Sequence, residues 1–366
     1  MIYLDSGATS LHKPKAVGEA VYRAIMTCGN PGRGGHRPSM IAAETVLSCR
    51  ERAGKLFSCD PEQVVFTGSC TQALNTAIRT LIKPGDRVVI SGFEHNAVTR
   101  PLYALGAETV VAGRKLFDQN DTLNRFEDAL KGAKAAVFTH CSNVFGYILP
   151  VEEMAKLCHM HRVPFVLDGA QSAGTLPISL NKLGAAFIAL PGHKGLLGPQ
   201  GTGLLLCGQM PDPLIFGGTG SVSRSREMPD FLPDRCEAGT LNVPGIAGLS
   251  AGIAYILRET PEKIFAREEQ EAQRCVRGLQ ELGLRVFAGE NQAGVVSFLA
   301  NGDCEETADY LAKEGIALRA GLHCAPLAHE SAGTLDSGTV RVSFGIDASP
   351  AQTAAFLRKM EKFRRN

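Results

Sequence analysis

Two neighbouring stretches govern the architecture: Phe165-Val166-Leu167-Asp168-Gly169-Ala170-Gln171, and Ala185-Ala186-Phe187-Ile188-Ala189-Leu190-Pro191-Gly192-His193-Lys194-Gly195. Each is a short apolar run that ends in a glycine turn carrying a polar group. Runs apolar on both faces belong to sheets buried on both sides. Working outward, similar runs occur at 64–67, 87–91, 109–111, 135–139 and 203–207. Amphipathic stretches at 72–82, 122–130 and 151–161 lie between them. This alternation predicts an α/β fold: a mostly parallel seven-stranded sheet with helices on both faces. Ligands of such sheets sit beyond the carboxyl ends of the strands.

The pattern changes after a helix predicted over 244–257. A charged helix (262–282), strands at 295–298, 317–319 and 340–343, and helices over 305–313 and 350–363 suggest a smaller α+β unit. The expected division is a large unit over 16–250 and a small C-terminal unit over 251–366 joined by residues 1–15. The span 321–338 lacks any periodic pattern and reads as a long, functional loop.

Composition sets the class. The chain has 366 residues, 44% hydrophobic and 20% charged, with a formal net charge of +1. That balance supports a large core and gives no sign of a nucleic-acid or membrane-surface partner. Eleven cysteines are scattered, without CxxC pairs or zinc-ligand spacing. They fit a reducing, cytoplasmic setting with no metal centre. The start, Met1-Ile2-Tyr3-Leu4-Asp5, lacks signal-peptide character, and no apolar run approaches membrane-spanning length.

Four strand ends each supply a group suited to pyridoxal 5′-phosphate (PLP). Lys194, in a glycine-rich turn, fits a Schiff-base lysine, which needs close backbone and a shielded amine. Asp168 fits the carboxylate that keeps a pyridine nitrogen protonated. Ser69, Cys70 and Thr71 open a helix whose N-terminus suits phosphate. His95 follows another strand end, where an imidazole can stack on a ring and move protons. Alone, each has an ordinary explanation: a solvated lysine, a turn-capping aspartate, a plain helix cap, a structural histidine. Their convergence at one sheet edge favours the cofactor.

These residues, taken with others, resemble the cysteine desulfurases, class V enzymes of PLP fold type I. Tyr3-Leu4-Asp5-Ser6-Gly7-Ala8-Thr9 is similar to the family's opening element, and Arg33-Gly34-Gly35-His36 to its RGxH element. His140-Cys141-Ser142-Asn143-Val144-Phe145-Gly146, Asp168-Gly169-Ala170-Gln171, Gly192-His193-Lys194 and Arg235-Cys236-Glu237-Ala238-Gly239-Thr240-Leu241-Asn242 match further elements. Leu318-Arg319-Ala320-Gly321-Leu322-His323-Cys324-Ala325 resembles the loop whose cysteine accepts sulfur, and Arg341 the arginine that clamps the substrate carboxylate.

The resemblance implies a PLP-dependent homodimer that converts L-cysteine to alanine. Lys194, Cys324 and His95 would be catalytic. Cys70, Thr71, His95, Asn143, Asp168, Gln171, His193 and Lys194 would hold the cofactor, with Thr240 reaching the phosphate of the other subunit. Arg341, Asn143, Ala8, His36 and Arg319 would bind substrate. Sulfur would pass as a persulfide on Cys324, carried on a mobile glycine-containing loop, to a protein acceptor. Its route into iron–sulfur assembly, tRNA thiolation or selenium metabolism stays open. The chain departs from the family at Pro191, where Ser or Thr is common, at Cys70, where Thr or Ala is common, and at Asn96, where a second His is common. Selenocysteine lyase, aminotransferase and a sulfur-relay subunit with little turnover are the alternatives.

Overall fold

The computed structural model describes residues 1–366 except Arg33, Asn301 and Asn366, and the side chain of Arg365. Arg33 of the RGxH element therefore lies outside the described residues. The principal sheet has seven strands: β2 (Val64–Thr67), β3 (Arg87–Ser91), β4 (Glu108–Ala112), β5 (Ala135–Thr139), β6 (Phe165–Asp168), β7 (Phe187–Pro191) and β8 (Gly203–Cys207). Their spatial order is β2-β8-β7-β6-β5-β3-β4, with β8 antiparallel to both neighbours and the other contacts parallel. The predicted α/β sheet is thus present, with each of its seven strands at the expected place.

Strand pleating explains the two cores. Val89, Phe138, Leu167 and Ile188 fall in one apolar cluster, and Val88, Val137, Val166 and Phe187 in the other. Successive residues alternate between faces, so each strand is apolar throughout. Helices α3 (Cys70–Leu81), α4 (Asn96–Leu105), α5 (Gln119–Leu130), α6 (Val151–His161) and α7 (Leu180–Leu183) follow the strands. Two further helices, α1 (Lys15–Thr27) and α2 (Arg37–Phe57), precede the sheet and pack on α8 (Val243–Glu259).

A second sheet has the order β12-β13-β10-β9, built from β9 (Arg285–Phe287), β10 (Val295–Leu299), β12 (Arg319–Gly321) and β13 (Thr339–Ser343), all antiparallel. Helices α9 (Pro261–Glu281), α10 (Cys304–Lys313) and α12 (Pro350–Arg365) accompany it. Their core, including Leu279, Phe298 and Phe356, also takes in Leu4. The strand expected over 317–319 is two. β11 (Ile316–Ala317) pairs with β1 (Ile2–Tyr3), whereas β12 pairs with β13, so the chain changes partner at Leu318. Nor is 321–338 an unbroken loop, since it contains α11 (Pro326–Ala332). Helix α8 runs through residue 250, and its Ile253 and Ile256 belong to a core of the large sheet.

Within the large unit, a buried ion pair ties α2, β2 and the segment before α8 together. Arg50 on α2 donates to the carboxylate of Glu237 and to the Val64 carbonyl, and Glu237 accepts the Phe66 N–H at 2.7 Å. Replacing Glu237 by Ala leaves a buried guanidinium unpaired. The expected result is a loss of ~3–5 kcal/mol in urea unfolding. A loss below ~1 kcal/mol would contradict a structural role for the pair.

Candidate active site

At the carboxyl edge of the large sheet, one cavity of about 210 Å³ gathers Lys194, Asp168, His95, Cys70, Thr71 and Asn143. Gln171, His193 and Pro191 line it too. A smaller cavity of about 40 Å³ meets it at Lys194 and Gln171, between Ser6-Gly7 and the second sheet.

Each strand end delivers its group by local rules. Asp168 closes β6 and is buried. Its Oδ1 accepts the Ala170 N–H at 2.9 Å and the Cys70 thiol at 3.6 Å, whereas among the described residues no partner falls on Oδ2. Burial pushes the carboxyl upward, against the opposing effects of these bonds and of Lys194. The desolvated carboxylate thus lacks a direct cationic partner. Ser69 caps α3 through the Gln72 N–H, so the preceding N–H groups of the first turn face out of the helix. His95 caps α4 by accepting the Ala97 N–H on Nδ1 at 3.0 Å. Burial first, then Lys194, Arg100 and Arg341, push its pKa down to about 4. The ring is therefore neutral at pH 7, with its proton on Nε2. Beneath it, buried Glu94 accepts the Thr139 N–H at 2.9 Å and fixes the ends of β3 and β5. Burial raises Glu94 to about 8.

Lys194 follows β7 after Gly192. A Cβ at Gly192 would meet Thr202 Oγ1 at 2.0 Å, so only glycine lets the turn close on the sheet. Burial, then the charge of Arg341, lowers the Lys194 amine to about 8, despite the opposing charge of Asp168. The neighbouring His193 shares Nδ1 with Thr9 Oγ1 at 3.0 Å, and burial lowers it to about 4. An amine lowered in this way reacts at lower pH. In the cofactor-free protein, acylation of Lys194 followed by mass spectrometry should rise with pH and level off above about 8. A rate still climbing tenfold per unit beyond pH 9 would describe an ordinary lysine near its reference of about 10.4.

The remaining predicted residues divide. Asn143 donates its amide to the His323 carbonyl at 2.8 Å, and Gln171 donates to the Gly7 carbonyl at 2.9 Å. Arg341 is buried, donating to the Asn143 carbonyl at 3.0 Å and to Asp5 at 2.6 Å. Arg319 reaches the other Asp5 oxygen at 3.1 Å. Ala8 sits in the turn closed by its N–H to the Asp5 carbonyl, one residue from the cavity-lining Gly7. Cys324 is exposed, whereas the other ten thiols are buried or half-buried. Its turn is not loose: the Cys324 carbonyl accepts the Asn96 N–H at 2.8 Å, and both His323 and Cys324 adopt positive φ. Arg341, Arg319, Ala8 and Cys324 do not line this cavity themselves, and two further predicted residues lie apart from it. Thr240 lines a separate groove with Gly32 and Arg50, and exposed His36 caps α2 by accepting the Ser39 N–H. Asp5 and Thr9 join the site without having been assigned a role from sequence.

Among the described residues no helix is long and apolar enough to cross a membrane. The model of the family "Aminotransferase class-V" matches residues 2–356. A probable cysteine desulfurase of Pyrococcus abyssi is 34% identical over 99% of this chain and 94% of its own length. A probable cysteine desulfurase of Halalkalibacterium halodurans is 33% identical over 99% of the chain and 93% of its own length. Among solved structures, the apo cysteine desulfurase from Thermococcus onnurineus superposes with a TM-score of 0.91 at 33% identity, covering 100% of this chain and 94% of that one. Fold, site geometry and these likenesses agree: the chain belongs to the class V aminotransferase family, among the cysteine desulfurases.

Proposed function

We propose that the protein is a PLP-dependent cysteine desulfurase that converts L-cysteine to L-alanine and leaves sulfur on Cys324. The observation that carries this is one cavity uniting a lowered lysine amine, a buried carboxylate without a direct cation, a neutral histidine and a helix N-terminus. The donor set suits the cofactor. Lys194 would hold it, Asp168 would face its ring nitrogen, and the first turn of α3 with His193 would take its phosphate. When bound, PLP supplies an electron sink for the carbanion formed at the substrate Cα.

The chain's own residues do the rest. Arg341 has five N–H donors and hydrogen-bonds to Asn143 and Asp5 through two of them, so it keeps donors for an α-carboxylate. Lys194, its amine lowered to about 8 chiefly by burial, takes the Cα proton in its deprotonated form. The Cys324 thiolate attacks the substrate sulfur. A sulfur–sulfur bond forms, the carbon–sulfur bond breaks, and its electrons leave with the carbon that becomes alanine. Neutral His95, with Nε2–H in the cavity, serves the proton transfers.

The reading includes a homodimer. Helices α1 and α2 expose Tyr22, Ile25, Met26, Met40 and Leu47, and the groove holding Thr240 lies on the same part of the molecule as Arg50 of α2. A partner there would bring Thr240 and His36 to a second cavity. The proposed division, 16–250 against 251–366 with 1–15, follows the separate core around the second sheet, with α8 as the connecting helix. A protein acceptor, a role in iron–sulfur cluster assembly and a cytoplasmic location belong to the same proposal. Incubation with L-cysteine should yield alanine and a persulfide at residue 324. Alanine without any protein persulfide would refute sulfur transfer to the thiol.

A further inference from the structure

The second sheet sets two cations side by side. Arg319 on β12 and Arg341 on β13 are direct cross-strand partners. Like charges at such positions repel. The N-terminal segment resolves the conflict. It threads beside β13, with Ser6 N–H on the Ser343 carbonyl at 3.3 Å and Gly7 N–H on Ser343 Oγ at 2.8 Å. This places Asp5 between the two guanidiniums, one carboxylate oxygen on each. Arg341 is 2% exposed, and its buried Nε has no partner among the described residues. Both arginines act electrostatically on Lys194, so the group belongs to the field of the active site.

We propose that Asp5 is a specificity-determining residue: it anchors Arg341 and cancels one of two positive charges, leaving a site matched to amino acids with a single carboxylate. This rests on Arg341 being the carboxylate clamp. Two arginines and one aspartate leave a net charge of +1, which one α-carboxylate neutralises. An amino acid with a second carboxylate brings an excess negative charge that Asp5 repels. Removing Asp5 raises the site to +2 and should admit that class. Removing Arg319 lowers it to zero and should exclude that class further.

The test compares competitive inhibition of holoenzyme by L-alanine and by L-aspartate. The ratio of the aspartate to the alanine inhibition constant should fall about tenfold or more in Asp5→Asn. It should return towards wild type in Asp5→Glu and rise in Arg319→Gln. A purely structural Asp5 would lower the melting temperature and leave the ratio unchanged. An unchanged ratio in both Asp5→Asn and Arg319→Gln overturns the proposal. Should Asp5→Asn fail to fold, the half-exposed Arg319→Gln decides: a raised ratio supports the proposal and an unchanged one overturns it. The underlying clamp is tested separately by Arg341→Ala. If that variant binds L-alanine as well as wild type, the clamp assignment fails whatever Asp5 does.

Discussion

Lys194→Ala should abolish covalent retention of PLP and reduce alanine formation from L-cysteine by about four orders of magnitude. The size follows from two losses at one atom. Under the proposed function the amine is both the anchor for the cofactor and the base for the Cα proton. Its lowered pKa of about 8 makes it competent for both at neutral pH. Among the described residues no other amine lines this cavity, so no neighbour replaces it. Absorbance of the purified variant and an alanine assay measure the two losses. A variant that keeps the visible band after denaturation and gel filtration would show the anchor to be elsewhere.

Cys324→Ser should leave L-cysteine binding intact and lower desulfuration by about three orders of magnitude. A hydroxyl is a far poorer nucleophile toward sulfur than a thiolate. Buried thiols at Cys70 and Cys141 are closer to the cofactor site, yet burial raises both, Cys141 to about 12, so neither substitutes. Peptide mapping after incubation should find no persulfide. Persulfide on Cys70 would overturn the assignment. L-Selenocysteine provides a second arm. Selenium leaves more readily, so turnover retained on selenocysteine alone would mark a site that serves both reactions with different demands on the thiol.

The sheet was legible because its strands are apolar on both faces, and the chemistry because four strand ends carry distinct polar groups. Helices α1 and α2 were not predicted, and their side chains explain why. Their buried faces do recur at helical spacing, Ser39, Ala42, Val46, Cys49, Ala53 and Phe57 in α2 and Val17 and Ala24 in α1, but small side chains dominate them, whereas the large Tyr22, Ile25, Met26 and Met40 point outward. A pattern reader weighs the large residues and finds no inner face. The break at Leu318 was hidden because β11 and β12 are separated by that single residue, so one uninterrupted stretch serves two sheets. Asp5 was visible within its motif, but its pairing spans 336 positions of sequence and only the fold reveals it. The site as a whole combines groups from strand ends, the N-terminal segment and the second sheet, so its strand-end groups were readable locally, whereas Arg319 and Arg341 were named only through the resemblance and their meeting around Asp5 was not readable.

The turn bearing Cys324 is held at two consecutive carbonyls, His323 by Asn143 and Cys324 by Asn96. At about 1 kcal/mol each, these latches favour the docked turn by roughly thirty to one over an undocked one. The Cys324 thiol therefore spends nearly all its time at a fixed station beside α4, and under the proposed function delivery to an acceptor would wait on a brief excursion or on a visitor that comes to it. Because Asn143 also walls the cofactor cavity, anything that turns its amide toward a bound ligand releases the first latch, linking occupancy of the pocket to liberation of the thiol.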